Sequence, residues 1–363
     1  MMKPDTQKQS GFSLIELMIA MVIGLLLMAG IISIFAGSRK SFDLTQEISG
    51  LQESARFAME SLTNDIRLSG FQGCITAEDD STSIQSKTAP TSDLNMTATR
   101  GAEVNGTSWS PAAPIELSNL EPAPLSGSDV LMIQYGSPVG ARLASPMIGL
   151  DAPLVLESNA IGLQPGDLAI VSDCDQADLF TVSNVSGNTI QHTPADNHSG
   201  NLTKEYSPIG DTPAGNVARV MKFNYITYYV GDSGRFNTQG NPIYSLYAYD
   251  LNAINNGTPP TEIIEGVENM QVLYGIRAVN GTVRYVPADD GSFDNSRVHS
   301  IQIGLLIASI EGKSDTEDDR TYTLLDTDIV AAGGSSAGST HSRDRRIRMT
   351  FNSTIKIRNR RNQ

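Results

Sequence analysis

An uninterrupted apolar stretch over residues 12–36 is the feature that most constrains this chain. It contains no proline and one ionisable side chain, Glu16. At 1.5 Å per residue, a helix of this length extends about 37 Å, and the hydrocarbon core of a bilayer is about 30 Å thick. Lys3 and Lys8 precede it, so the positive-inside rule keeps the amino terminus in the cytoplasm and sends the remaining chain outward. The sequence therefore predicts a single-pass membrane helix here.

The acid near the start of this stretch sets it apart from an ordinary membrane anchor. A charge inside a bilayer costs about 2.5–3.5 kcal/mol on insertion scales, so a carboxylate there indicates a partner of opposite charge. The run over residues 8–17 reads K-Q-S-G-F-S-L-I-E-L, and it resembles the class III leader of type IV pilins and type II secretion pseudopilins. The resemblance implies that a prepilin peptidase cuts between Gly11 and Phe12, then methylates the new amino terminus of Phe12. It also implies that Glu16 is the assembly acid.

The chemistry of a cleaved chain is consistent with this interpretation. Once residues 1–11 are removed, Phe12 carries an ammonium group in apolar surroundings, and Glu16 of a neighbouring subunit is a natural counter-ion. An uncleaved signal anchor and a signal peptide cut after its apolar core are the alternatives. A signal peptide would have a core of about 7–15 residues and a small-x-small cleavage site, which this sequence supplies poorly.

Composition points to a polar body outside the membrane. The 363 residues carry a formal net charge of −14, which argues against nucleic acid as a partner. The chain has two cysteines, Cys74 and Cys174, and we expect its body to lie in an oxidising compartment. An even number of cysteines there is compatible with a disulfide. A disulfide between them would close a loop of about 100 residues, worth roughly 4.7 kcal/mol in the chain-entropy model; two unpaired buried thiols are the alternative. The four dispersed histidines show no zinc spacing, so no metal or cofactor is expected.

Beyond residue 36 the apolar pattern becomes one-sided without a helix breaker. Apolar residues recur at steps of three and four at Leu44, Ile48, Leu51, Ala55, Ala58, Leu62 and Ile66. The pattern predicts one continuous helix from about Phe12 to Ser69, capped by Ser69-Gly70. Residues 12–36 form its transmembrane half, and residues 37–70 form an amphipathic half that packs against a globular domain. A dimeric coiled coil is the competing explanation of the stripe.

Residues 71–363 read as a β-rich domain, because no helical pattern of comparable length recurs there. The stretch 76–124 is rich in Ser, Thr, Asn, Ala and Pro and is expected to be a partly irregular insertion. Predicted strands cover 129–135, 153–157, 166–172, 180–182, 189–190, 217–230, 243–251, 262–277, 298–310 and 346–358. The fold class expected is therefore α+β, with a long pilin-like helix packed on a large antiparallel sheet domain.

The last predicted strand alternates strictly. The apolar residues all fall on one parity, at Ile347, Met349, Phe351, Ile355 and Ile357. The other parity is polar and consists of Arg346, Arg348, Thr350, Asn352, Thr354, Lys356 and Arg358. Since successive strand side chains point to opposite faces, we expect the first set in the core and the second set in water.

Several blocks narrow the resemblance to the W-type minor pilins, the PilW family. These blocks are L-Q-E-S-A-R-F-A (51–58), D-I-R-L-S-G-F-Q-G-C (65–74), G-D-L-A-I-V-S-D-C (166–174), I-T-Y-Y-V (226–230), E-G-V-E-N-M-Q-V-L-Y-G (265–275) and I-K-I-R-N-R (355–360). The resemblance implies a minor pilin that is held in the inner membrane with a periplasmic domain, then incorporated at the pilus tip to prime assembly for twitching motility and adhesion. It implies as partners the prepilin peptidase, other minor pilins, the major pilin, a large tip adhesin and membrane lipid. Because Cys74 and Cys174 both lie within such blocks, it also favours their pairing.

Two other functions remain at this point. One is a J-type minor pseudopilin of type II secretion, which shares the leader and a β-rich body. The other is a membrane-anchored enzyme or sugar-binding protein that would use six tyrosines at 225, 228, 229, 244, 247 and 249. Aromatic residues on paired strands usually contact one another across the strands. No nucleophile, metal triad or catalytic carboxylate pair stands out, so we predict that the chain is not an enzyme.

Overall fold

The computed structural model describes residues 13–75, 82–87, 98–112, 120–208, 217–250, 258–278, 281–332 and 339–358. Gly11 and Phe12, the expected cleavage site, lie outside the described residues. The chain divides into two compact units, Met1–Gly50 and Leu51–Gln363, and each is described by itself.

The first unit consists, in its described part, of the beginning of helix α1, which runs over Leu14–Leu68. The helix is unbroken because the stretch contains no proline, and its glycines have open space around them rather than close backbone neighbours. The prediction of one continuous helix is confirmed, with observed ends within two residues of the expected ones.

The second unit contains the remaining turns of α1, and here one face of the helix is in a core. The buried side chains are Leu51, Ala55, Ala58, Leu62 and Ile66, the part of the predicted stripe that belongs to this unit. They pack against the sheets of the same chain, which favours intrachain packing over the coiled coil. The helix ends at Leu68, and Gly70 follows with φ of 75°, a left-handed conformation that glycine adopts without a steric penalty.

The strands of the second unit are numbered in chain order. They are β1 (Thr82–Ile84), β2 (Thr99–Asn105), β3 (Ser108–Ser110), β4 (Asp129–Arg142), β5 (Leu154–Val155), β6 (Leu168–Ser172), β7 (Ala177–Thr181), β8 (Asn184–Ser186), β9 (Thr189–Gln191), β10 (Arg219–Phe236), β11 (Pro242–Asp250), β12 (Thr261–Glu265), β13 (Val267–Arg277), β14 (Val283–Val286), β15 (Val298–Ala308), β16 (Tyr322–Leu324), β17 (Thr327–Ala331), β18 (Thr340–His341) and β19 (Arg348–Lys356). A short 3-10 helix, Asn295–Arg297, precedes β15.

Within the described ranges these strands form four sheets. The largest has nine strands and follows the order β1-β7-β6-β10-β4-β2-β3, with β11 paired to β10 and β12 paired to β11. A four-stranded sheet follows the order β14-β13-β15-β19, and two three-stranded sheets are β16-β17-β18 and β5-β9-β8. The pairs β1–β7 and β17–β18 are parallel, and the other pairs are antiparallel. The α+β fold class with a mostly antiparallel sheet domain is confirmed.

The two largest sheets share one core with the helix. Side chains of β4, β10, β13 and β15 pack around the buried face of α1, and examples are Ile133, Val230, Val272 and Ile303. Polar contacts join the same sheets, because the Asp129 carboxylate accepts the Val272 amide hydrogen at 2.7 Å. Burial, together with the neighbouring Glu103, raises the pKa of Asp129 well above its ordinary value.

The structure adds strands in one region and divides a predicted strand in another. The stretch 76–124, expected to be partly irregular, contains β1, β2 and β3 among its described residues, and β2 pairs with β4 inside the largest sheet. The single strand expected over 262–277 is two strands, β12 and β13, in different sheets. They separate at Gly266, whose φ is 85° and where a Cβ atom would lie 2.6 Å from the Ala308 carbonyl oxygen. Only glycine fits that position without displacing backbone.

Candidate functional site

The start of α1 is built as a capping box around Glu16. The Ser13 amide donates a hydrogen bond to Glu16 Oε2 at 3.0 Å, and the Ile15 amide donates to Ser13 Oγ at 3.3 Å. The glutamate at the third helical position reaches back to the N-cap amide, as in a capping box, while the serine oxygen caps the second helical amide. The sequence S-L-I-E carries that signature, although Glu16 was predicted only to contact a neighbouring subunit. The structure gives the acid a local contact at the start of its own helix.

The apolar surface that follows has no internal partner. In the described helix the large apolar side chains from Leu14 to Phe35 are 51–79% exposed. Among the described residues, α1 is the helix long and apolar enough to span a bilayer. An exposed apolar surface of this extent generally marks contact with lipid or with other proteins. The leader and this helix together support anchoring in a membrane.

Asp65 in the last turns of α1 is hydrogen-bonded to two strands of the largest sheet. The hydroxyls of Tyr135 on β4 and Tyr228 on β10 donate to the two carboxylate oxygens at 2.8 and 2.5 Å. Burial, and then the adjacent Asp65 charge, raise the pKa of both tyrosines above the ordinary value, so both hydroxyls keep the protons that they donate. Asp65 lies inside the block D-I-R-L-S-G, yet nothing in the spacing of the sequence singled it out, because its partners are 70 and 163 residues away.

The tyrosine-rich strands form internal contacts. Tyr225, Tyr228 and Tyr229 on β10 are buried, and Tyr229 is in register with Tyr247 on β11. The rings of Tyr229 and Tyr247 are stacked with centroids 5.7 Å apart. The preferred interpretation, cross-strand aromatic contact, is confirmed for this pair. Four of the six rings are buried and offer little surface to a sugar, which weakens the main observation in favour of a sugar-binding protein.

A buried ion-pair network lies at the carboxyl-terminal strand and corrects one prediction. Arg346 and Arg348 were expected to face water, but they are 2% and 3% exposed, so that prediction is wrong. Arg348 donates to Glu268 at 2.6 and 3.1 Å and lies 3.0 Å from Asp344. Arg346 lies 2.7 Å from Asp344 and 2.9 Å from Glu268. Two guanidinium groups therefore share two carboxylates away from solvent, as buried charges require.

A third carboxylate, Asp318, extends this network towards the surface. It accepts hydrogen bonds from Arg320 at 2.8 Å and from the Tyr322 hydroxyl at 2.7 Å, and Arg348 lies 3.3 Å away. Burial alone would raise the pKa of Asp318, but these hydrogen bonds to its charged form outweigh burial and lower the pKa to about 2. The network thus holds Asp318 ionised throughout the physiological range.

The two cysteines are paired in the structure. Cys74 follows the helix and Cys174 lies in the turn between β6 and β7, with Cα atoms 4.7 Å apart. The predicted disulfide is confirmed, and the alternative of two unpaired thiols is wrong. Within the described ranges, no group of three or more His, Cys, Asp or Glu side chains is arranged to hold a metal ion.

Comparison with known families gives two matches. Residues 227–359 match the family described as Type IV Pilus-assembly protein W, and residues 6–32 match the Prokaryotic N-terminal methylation motif. No curated protein and no solved structure matches the chain. The first match contains the ion-pair network of β13 and β19. The second contains Gly11, Phe12 and Glu16, which were singled out from the sequence.

Proposed function

We propose that this PilW-like type IV minor pilin is cleaved between Gly11 and Phe12, methylated at Phe12 and incorporated at or near the tip of a type IV pilus, where it primes assembly. The observation that carries the proposal is a methylation motif over residues 6–32 that includes the beginning of α1, where the apolar side chains are exposed in the single chain. The role is structural rather than enzymatic, and the proposed partners are other minor pilins, the major pilin and a large tip adhesin.

The apolar helix is the polymerising element in this mechanism. In the membrane its side chains contact lipid, and in a fibre the same side chains contact the helices of neighbouring subunits. Lipid tails are as apolar as leucine, so the exchange depends on close packing and on polar pairs rather than on the hydrophobic effect. Glu16 supplies the polar pair by binding the amino terminus of a neighbouring subunit, which sets the axial register. The β domain, residues 71–363, faces the periplasm before assembly and supplies the surfaces specific to this subunit.

Processing is tested by sequencing the amino terminus of the membrane-purified protein from cells with and without prepilin peptidase. The expected mature chain begins at N-methylated Phe12 only when the peptidase is present. A chain that begins at Met1 in both strains, or at a residue beyond the apolar stretch, contradicts the proposal.

The role of Glu16 is tested with two substitutions that separate its two contacts. Glu16→Ala removes both the charge and the capping box, whereas Glu16→Gln removes the charge and keeps a residue that completes a capping box. Loss of the acid leaves a neighbouring ammonium without its counter-ion, which costs about 3–5 kcal/mol in an apolar site. We therefore expect both variants to remain in the membrane fraction and to be depleted from sheared pili. Normal incorporation of Glu16→Gln would assign the acid to capping alone.

A deletion strain separates the proposed function from the secretion alternative. Loss of pili and of twitching with normal enzyme secretion is the expected phenotype. Normal piliation with lost secretion would identify a J-type pseudopilin instead. The match of residues 227–359 supports the pilus.

A further inference from the structure

Three side chains form a row across neighbouring strands of the nine-stranded sheet. Arg219, the first residue of β10, is in register with Arg142 at the end of β4 and with Ser172 at the end of β6. Directly opposed residues share one face of a sheet, so the three side chains point to the same side. Like charges that face each other across a strand pair are destabilising. The fold itself therefore gains nothing from placing Arg142 beside Arg219.

This row lines a cleft of 440 Å³. Both guanidinium groups are exposed, and neither makes an ion pair with a carboxylate among the described residues. The side chains of Phe71 and Met221 supply apolar surface to the same cleft, and the Cys74–Cys174 disulfide borders it. The cleft thus combines uncompensated positive charge with apolar walls, in a chain whose formal net charge is −14.

Ser172 provides an independent observation. Its residue is 3% exposed, and its hydroxyl lines the cleft without a hydrogen-bond partner in the described structure. A buried polar group that lacks a partner costs about 1–3 kcal/mol. An acceptor atom that enters the cleft beside Arg219 would remove that cost, because a hydroxyl can donate to an anionic oxygen.

Carboxylates of the chain itself do not compensate the arginines in the described structure. Asp173 and Asp175 flank Cys174, but Lys204 lies 2.5 Å from the first and 3.5 Å from the second. Asp173 also accepts the backbone hydrogens of Asp175 and Gln176. These two acids are therefore neutralised and hydrogen-bonded locally.

We propose that this cleft binds a carboxylate side chain from an acidic segment of another protein. Guanidinium forks bind carboxylates in a bidentate manner, and two adjacent forks together with the Ser172 hydroxyl present several donors to one carboxylate group. The apolar walls contact the residues beside the acid, which a small free anion lacks. The proposal stands independently of the pilus function, since it rests on the β domain alone.

The test uses the full chain in detergent and a fluorescein-labelled peptide that contains two glutamates and one leucine. Fluorescence anisotropy at low ionic strength measures saturable binding. Arg142→Gln with Arg219→Gln is expected to weaken the peptide affinity about tenfold or more, the effect of losing hydrogen bonds to a charged group. The matched control, Arg343→Gln with Arg345→Gln, removes the same charge from exposed positions and should leave the affinity unchanged.

Ser172→Ala separates binding from folding. Because the substitution removes an unpartnered buried hydroxyl, we expect the thermal midpoint to stay the same or rise while the affinity falls about fivefold. Equal weakening by both arginine pairs would show non-specific attraction and overturn the proposal. So would saturation by inorganic phosphate without saturation by the peptide. A third outcome is peptide binding only by the triple variant Glu78→Gln/Asp79→Asn/Asp80→Asn. It would show that the chain's own acidic run occupies the cleft, and it would also overturn the proposal.

Discussion

Leu26 and Leu62 lie on the same helix, but Leu26 is 69% exposed and Leu62 is fully buried. Residue type and backbone conformation are the same at both positions, so neither explains the difference. The neighbouring residues in the sequence explain it, because the helix is apolar on every side near Leu26 and apolar on only one side near Leu62. A helix apolar all round needs lipid or other helices, and a helix with one apolar face packs onto its own domain.

The two regions also treat charge differently. In the part of the chain that the structure describes, Glu16 caps the start of its own helix, whereas Arg348 has three carboxylates around it. The second unit pairs its buried guanidinium groups with its own carboxylates, whereas the large apolar side chains at the start of α1 are exposed. This contrast predicts that substitutions in the two units affect different measurements.

The most destructive change is Arg348→Ala in the second unit. It leaves Glu268 buried with one guanidinium partner fewer, and breaking a buried pair costs about 3–5 kcal/mol. Urea denaturation of the full chain in detergent measures the free energy of unfolding. Arg343→Ala, at an exposed position, is the control and should change it by less than about 0.5 kcal/mol. Equal stability of the two variants would show that the network is not buried in solution.

Next in size is the matched pair Leu62→Ala and Leu26→Ala. Removal of a buried leucine side chain costs about 2–5 kcal/mol, because a cavity remains in the core. The same change at Leu26 should leave the unfolding of the β domain unaltered, since no intrachain packing is lost. Leu26→Ala should instead reduce recovery in sheared pili. A similar loss of domain stability in both variants would contradict the contrast.

The smallest effect concerns pH and Asp318. Its pKa of about 2 in the folded chain lies below the ordinary value of 3.8, so the unfolded chain binds the proton more readily. The stabilisation is therefore complete above pH 4 and is lost as the pH falls through about 2, with a total of about 2 kcal/mol. Thermal midpoints recorded between pH 5 and pH 2 measure it. In Asp318→Asn, which cannot titrate, this part of the pH dependence should be absent, and an unchanged profile would refute the assignment.

Much of the fold was accessible from the sequence because its signals are local. The 25-residue apolar stretch, the stripe from Leu51 to Ile66 and the strict alternation near Ile355 each specify an element through periods of 3.6 or 2 residues. The S-L-I-E capping signature was equally local, and it would have predicted the capping contact of Glu16. The break at Gly266 was not readable, because the clash that requires glycine comes from the Ala308 carbonyl in another strand.

A membrane-competent helix, an acid near its start and a β-rich body follow from the sequence alone, since hydrophobic period and length suffice to predict them. Which charges are buried depends on the folded arrangement of the strands. Alternation placed Arg346 and Arg348 opposite the apolar parity, and that much is correct. Whether the opposite face meets water depends on distant groups, and Glu268 and Asp318 reach that face through the packing of other strands. A charge can be buried only where groups of opposite charge pair with it, and groups that are remote in sequence are brought together only by the fold.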